Sequence, residues 1–180
     1  MKNIKKWLAV ALVIALCLSM TGCMTRSSQV TGTATLETSE VTLDGEETAA
    51  KDPSAFEDGI QGLCAYMEDC EVTAGERIQM EYGVIGAING YKYTYTYEGS
   101  QVQLEVYEFP TEDIPDLAQT VIDSVKANGS FELLDNVIPA QISENGRYML
   151  IYTDEKTKKE EANQAHKEHV VECFETFTAR

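Results

Sequence analysis

From residue 53 onward the apolar positions recur at two spacings, and each spacing predicts an element. Phe56, Ile60, Leu63, Cys64, Met67 and Cys70 fall every three or four positions, as on one face of a helix. Ser54 stands where a side-chain cap is expected. Gly59 and Gly62 each weaken such a helix by about 1 kcal/mol relative to alanine, and their Gly-x-x-Gly spacing admits a close neighbour. Alternation then takes over in ERIQMEYGVIGAINGYKYTYTYEGSQVQLEVYEF. Asn89-Gly90 is a strong hairpin signal. As a two-residue turn it sets Ile88 opposite Tyr91, Gly86 opposite Tyr93, Val84 opposite Tyr95 and Tyr82 opposite Tyr97. A second turn at Glu98-Gly99 sets Tyr97 opposite Ser100, Tyr95 opposite Val102, Tyr93 opposite Leu104 and Tyr91 opposite Val106. Opposed residues share a side of the sheet. One side then carries the four tyrosines with Ile78, Met80, Tyr82, Val84, Ile88, Val102, Leu104 and Val106. The other carries Lys92, Thr94, Thr96, Gln101, Gln103 and Glu105. A sheet with one apolar side buries it, so the tyrosines read as core with hydroxyls at its rim. A three-residue loop at Glu98 to Ser100 would reverse that by turning Val102 and Leu104 away.

Further along, Ile114, Leu117, Ala118, Val121, Ile122 and Val125 form a helical stripe, with acid in the first turn and Asn128-Gly129 at the end. SFELLDNVIPAQISENGRYMLIYTDE reads as two or three strands with a turn at Asn145-Gly146. Residues 147–153 are apolar on both sides, as a central strand is. A last helix is expected over about residues 158–177, with Ala162, Ala165, His166, His169, Val170, Cys173, Phe174 and Phe177 on one stripe. The order α-βββ-α-ββ(β)-α predicts an α+β fold. Its expected form is an antiparallel meander sheet of about five to six strands, with three helices packed on the apolar face.

The N-terminus follows a different pattern. Lys2, Lys5 and Lys6 precede the unbroken apolar run WLAVALVIALCL, and LSMTGC follows. That is the layout of a secretory signal, and the run is short of the roughly 20 residues that cross a bilayer. LSMTGC, ending at Cys23, resembles a lipobox, and residues 1–23 resemble a bacterial lipoprotein precursor. Met20 stands where the usual pattern has Leu or another aliphatic residue. The resemblance implies lipidation of the Cys23 sulfur, cleavage after Gly22 and a protein anchored in the cell membrane on its extracytoplasmic side. Two acyl chains suffice for stable attachment, at about 0.8 kcal/mol per buried methylene. The expected organisation is a signal peptide over residues 1–22, a lipid-anchored linker over 23–52 and one domain over 53–180. The linker is rich in Thr, Ser and acid and lacks aromatics. A flexible chain of that length spans roughly 30 Å.

Charge narrows the partners. The 180 residues carry a net charge of −16. Loss of residues 1–22 leaves thirty acidic against eleven basic residues, close to −19. This excludes a nucleic-acid footprint and argues against docking of the domain itself on anionic headgroups. The acid is scattered, as on a solvated surface. The membrane is reached through the lipid on Cys23, and an envelope protein or a small molecule is the remaining class of partner.

Candidate chemistry is sparse. His166, His169 and Cys173 share one helix face and are zinc-ligand types, with a fourth ligand to come from elsewhere, Cys64 or Cys70 among the choices. The same three positions lie on or beside the packing stripe and read first as core, with metal as the alternative. Beyond that zinc, no cofactor is implied. No Gly-x-Ser-x-Gly, Cys-x-x-Cys, Ser-x-x-Lys or phosphate-binding loop occurs. His166 and Cys173 would be a base and a thiol, but on consecutive turns of one helix they are poorly placed for a dyad. Cys64, Cys70 and Cys173 are an odd set in an exported domain. Cys64 and Cys70 are about 9 Å apart along one helix, too far for a disulfide, so a bridge would run from that helix to Cys173. Three buried free thiols, acting as small apolar side chains, are the leading expectation, and the bridge is the alternative. The leading expectation is therefore a non-catalytic binding or scaffolding domain on a membrane-anchored lipoprotein. A metal-binding lipoprotein and an envelope hydrolase or thiol enzyme are the alternatives.

Overall fold

The computed structural model describes residues 52–180. The signal segment, Cys23 and nearly all of the linker lie outside the described residues. No helix among the described residues is long and apolar enough to cross a membrane. Over the described residues the fold is α+β, with three helices, a five-stranded antiparallel sheet and a two-stranded sheet. A 3-10 turn at Pro53–Ala55 precedes α1 (Ile60–Asp69), β1 (Ile78–Gln79) and a second 3-10 turn at Gly83–Ile85. Then come β2 (Asn89–Tyr97), β3 (Ser100–Glu108), α2 (Asp116–Asn128), β4 (Ser130–Leu133), β5 (Asn136–Pro139), β6 (Gln141–Ile142), β7 (Tyr148–Asp154) and α3 (Glu161–Thr178). The large sheet runs β1-β2-β3-β7-β6, and β4 pairs only with β5.

The turn at Glu98-Gly99 forms as expected. Both residues are left-handed, φ 46° and 66°, and Tyr97 faces Ser100, Tyr95 faces Val102, Tyr93 faces Leu104 and Tyr91 faces Val106. Tyr93, Tyr95 and Tyr97 are buried among Val102, Leu104 and Val106. The hydroxyls of Tyr93 and Tyr95 find hydrogen-bond partners there. Tyr93 donates to Glu68 at 2.6 Å and Tyr95 to the Val72 carbonyl at 3.0 Å. The tyrosine row is therefore a packed face.

Asn89-Gly90 does not turn the chain. Both residues lie inside β2, opposite Glu108 and Tyr107. β1 is two residues long and sets Ile78 opposite Lys92, on the side away from the tyrosines. The chain instead folds over at Gly83–Ile85 and buries Ile85 and Ala87 against α2. Burial of those side chains, and nine ladder positions for β2 against β3, outweigh the local turn preference.

The helices also divide between the two sides of the sheet. α1 and α3 cover the tyrosine face, forming one core with Leu63, Met67, Phe174 and Phe177. α2 and the β4–β5 hairpin pack on the opposite face, where Tyr107, Met149 and Ile151 meet Ala118, Val121, Ile122 and Val125. The expectation of three helices on one face is corrected in this respect. Its cause is visible in β7, where Met149 and Ile151 are as buried as Tyr148 and Leu150, so both sides needed a cover. α2 has Asp116 in its first turn, Lys126 in its last and Gly129 in a left-handed cap whose N–H reaches the Val125 carbonyl. Ser54 caps no helix by its side chain. Its N–H is held by Asp52 at 2.9 Å, and Gly59 precedes α1.

α1 and α3 run antiparallel. Arg180, just beyond α3, donates to the carbonyls of Pro53, Phe56 and Glu57 before α1. One turn back along α3, Phe177 meets Tyr66 at 5.6 Å between ring centroids. Arg147 ties the same end to the sheet. It holds both Asp58 oxygens at 2.9 and 2.8 Å and Glu108 at 3.0 and 2.9 Å. The guanidinium bonds hold the Asp58 carboxyl below its ordinary range.

Candidate functional site

The three residues with metal-ligand chemistry share α3 but not a site. His166 points into the first core, 2 % exposed, with its ring stacked on Tyr97 at 4.1 Å and edge-on to Tyr95 and Tyr152. Its Nε2 is 2.8 Å from the Tyr95 hydroxyl. That hydroxyl gives its proton to Val72, so it accepts from His166, and Nε2 carries the imidazole proton. Nδ1 is buried with no hydrogen-bond partner. A second proton would have to sit there. Burial, reinforced by the His169 charge and only partly offset by Asp154, pushes the His166 pKa down to about 4. His169 is exposed, and its Nε2 lies 3.9 Å from the Cys173 sulfur. No group of three His, Cys, Asp or Glu side chains that could hold a metal ion occurs among the described residues.

Around His166 the polar atoms serve the fold. Asn163, fully buried, donates to Asp154 at 2.9 Å and to the Tyr97 carbonyl at 3.3 Å. Asp154 also accepts from Ser100 at 2.5 Å and from the Lys156 N–H at 2.8 Å. Though burial acts against it, these bonds keep its carboxyl below the usual range. The cluster joins α3 to the β2–β3 turn. Asn163 takes the inward position that the apolar stripe assigned to Ala162 and Ala165, both of which are exposed. Two depressions beside α3, of about 620 and 560 Å³, contain neither a histidine nor a thiol.

The surface offers more. Five of the seven large apolar residues exposed among the described residues lie in two segments, 78–88 and 114–117. They are Ile78, Val84, Ile88, Ile114 and Leu117, each 36–54 % exposed. The segments are held together by a close approach. A Cβ on Gly86 would lie 2.7–2.9 Å from Ala118, so only glycine lets the 3-10 turn reach the start of α2. Val84 and Leu117 flank this contact in sequence. Glu81, Glu112, Asp113 and Asp116 are exposed in the same stretches, and residues 78–91 and 108–125 contain no lysine or arginine. Ile78 stands apart, opposite Lys92 in the β1–β2 ladder. The other four apolar residues lie on either side of the Gly86–Ala118 contact with these acids beside them in sequence, an apolar patch rimmed by acid. Asp113, at its edge, holds a left-handed φ of 50°, a conformation that costs about 1 kcal/mol or more in a non-glycine residue. Sequence periodicity assigned Val84 and Ile88 to the sheet core and Leu117 to the buried helix stripe, so the patch was invisible to it.

Comparison with protein-family models, curated proteins and solved structures found no match.

Proposed function

We propose that the chain is a bacterial lipoprotein, anchored by lipid on Cys23 at the extracytoplasmic face of the cell membrane. Its domain is a non-catalytic docking module for a protein partner of the envelope. The observation that carries the docking role is the patch of Val84, Ile88, Ile114 and Leu117 with its rim of Glu81, Glu112, Asp113 and Asp116. Exposed apolar groups gathered in one place and ringed by polar residues mark interaction surfaces. An all-acidic rim selects a partner whose apolar side chains are flanked by lysine and arginine, and the acidic protein as a whole steers such a partner inward.

A photo-reactive amino acid placed at Val84 or Leu117 in cells tests this. The expected result is one cross-linked partner whose attached peptide carries Lys or Arg beside apolar residues. The same probe at Thr94, on the open polar part of the sheet, gives none. Replacement of Glu112, Asp113 and Asp116 by lysine abolishes the product. Equal cross-linking from Thr94, or a product indifferent to the charge reversal, contradicts the reading.

A further inference from the structure

The antiparallel register of α1 and α3 places two of the three cysteines among the described residues against each other. Tyr66 meets Phe177 across the helix pair. One turn toward the C-terminus of α1 is Cys70, and one turn toward the N-terminus of α3 is Cys173. In antiparallel helices these steps run the same way in space, so Cys70 comes opposite Cys173. The electrostatics agree. After burial itself, Cys70 is the first influence that holds the Cys173 thiol protonated. Both are free thiols here, Cys173 buried and Cys70 half-buried at the end of α1. Cys64 is turned elsewhere, fully buried with Tyr93 and Arg77 as its side-chain partners. Helix axes pack about 8–10 Å apart, with each Cα about 2.3 Å off its axis. Facing cysteines therefore fall near the ~4.4–6.8 Å Cα separation that a disulfide needs.

We infer that Cys70 and Cys173 are a disulfide pair, closed by exchange with an external disulfide, and that Cys64 is the cysteine left over. The half-exposed Cys70 thiolate attacks one sulfur of the external disulfide. That forms a mixed disulfide and releases one thiol. The Cys173 proton passes to His169 Nε2, 3.9 Å away, and on to water. The Cys173 thiolate then attacks the Cys70 sulfur and expels the second thiol. Two protein thiols are oxidised and one external disulfide is reduced to two thiols. The bridge pins the end of α1 to the middle of α3 across the first core. It also closes a chain loop of about a hundred residues, the length at which a cross-link restricts the unfolded chain strongly.

The test uses the full chain, purified in detergent and equilibrated with glutathione at an oxidising ratio. Free thiols are then alkylated under denaturing conditions and the protein is cut after glutamate. Cleavage at Glu68 separates Cys64 from Cys70. The expected product is a Cys70–Cys173 linked peptide pair, about 2 Da lighter than its two thiol peptides, with Cys64 alkylated. The oxidised protein melts about 10 °C above the reduced one. Cys64→Ala keeps the bridge and the melting shift, and Cys70→Ser loses both. Recovery of Cys70 and Cys173 as alkylated thiols, or a bridge from Cys64, overturns the inference.

Discussion

Gly62→Ala lowers the stability of the domain by about 3 kcal/mol, read as a fall of about 10 °C in the thermal midpoint. Gly62 is inside α1, where alanine ordinarily adds about 1 kcal/mol of helix propensity. Here a Cβ would sit 1.8 Å from the Glu57 carbonyl oxygen and 2.7 Å from its carbon. Both are backbone atoms, so no side chain can swing aside. The segment entering α1 must lift, and with it Asp58, which anchors Arg147, and the carbonyls that Arg180 holds. Gly129→Ala is the contrasting control. Nothing lies within 4 Å of its Cβ position, and only the left-handed φ of 65° opposes alanine, a cost of about 1 kcal/mol. A gain in stability for Gly62→Ala would show that the close approach is absent.

The second large effect is a loss of stability in mild acid that depends on His166. Its folded pKa is about 4 against an ordinary 6.5, so the folded protein binds the imidazole proton less readily than the unfolded chain. The contribution is complete above pH 6.5. It is lost as the pH falls from 6.5 toward 4, and it levels off below. Its size is on the order of 3 kcal/mol. Asp58 and Asp154, whose carboxyls lie below their ordinary value, add a separate loss that begins nearer pH 4. Urea unfolding at pH 7.5, 6.5, 5.5 and 4.5 measures the slope. In His166→Gln, which can still donate to Tyr95, the slope between pH 6.5 and 4.5 flattens, whereas His169→Gln retains it. An unchanged slope in His166→Gln would place the titrating group elsewhere.

Turn chemistry read the sequence well in one place and badly in another. Glu98-Gly99 worked because the alternation on its two sides fixes a single register that buries three tyrosines with Val102, Leu104 and Val106. Asn89-Gly90 carried the stronger local signal and lost, because the strand through it has more to pair with as a continuous ladder. The β4–β5 turn runs through Leu134 and Asp135, both left-handed at φ 50° and 63° without a glycine. Asp135 is a residue that tolerates this conformation, but Leu134 is not, so the local signal is mixed. Helical spacing located all three helices, but it could not say which side of the sheet each would take. That choice rests on Tyr107 in β3 and on Met149 and Ile151 in β7, the last two more than twenty residues beyond α2. The same limit hid the patch. Periodicity marks Leu117 and Val84 as apolar, and only the packing of Gly86 on Ala118 decides that both stay outside. The cysteine pairing was half legible. Spacing ruled out Cys64 with Cys70, and the register of α1 on α3 selects Cys70 for Cys173.

A patch that docks an envelope partner has meaning only if the domain stands outside the cell, and that address rests on one sulfur. Mass spectrometry of the mature protein, extracted from bacterial membranes and digested, reads it directly. The account predicts a first residue at Cys23 that carries a thioether-linked diacylglycerol, with residues 1–22 gone. A precursor that keeps residues 1–22, or a first residue other than a lipid-bearing Cys23, would contradict it.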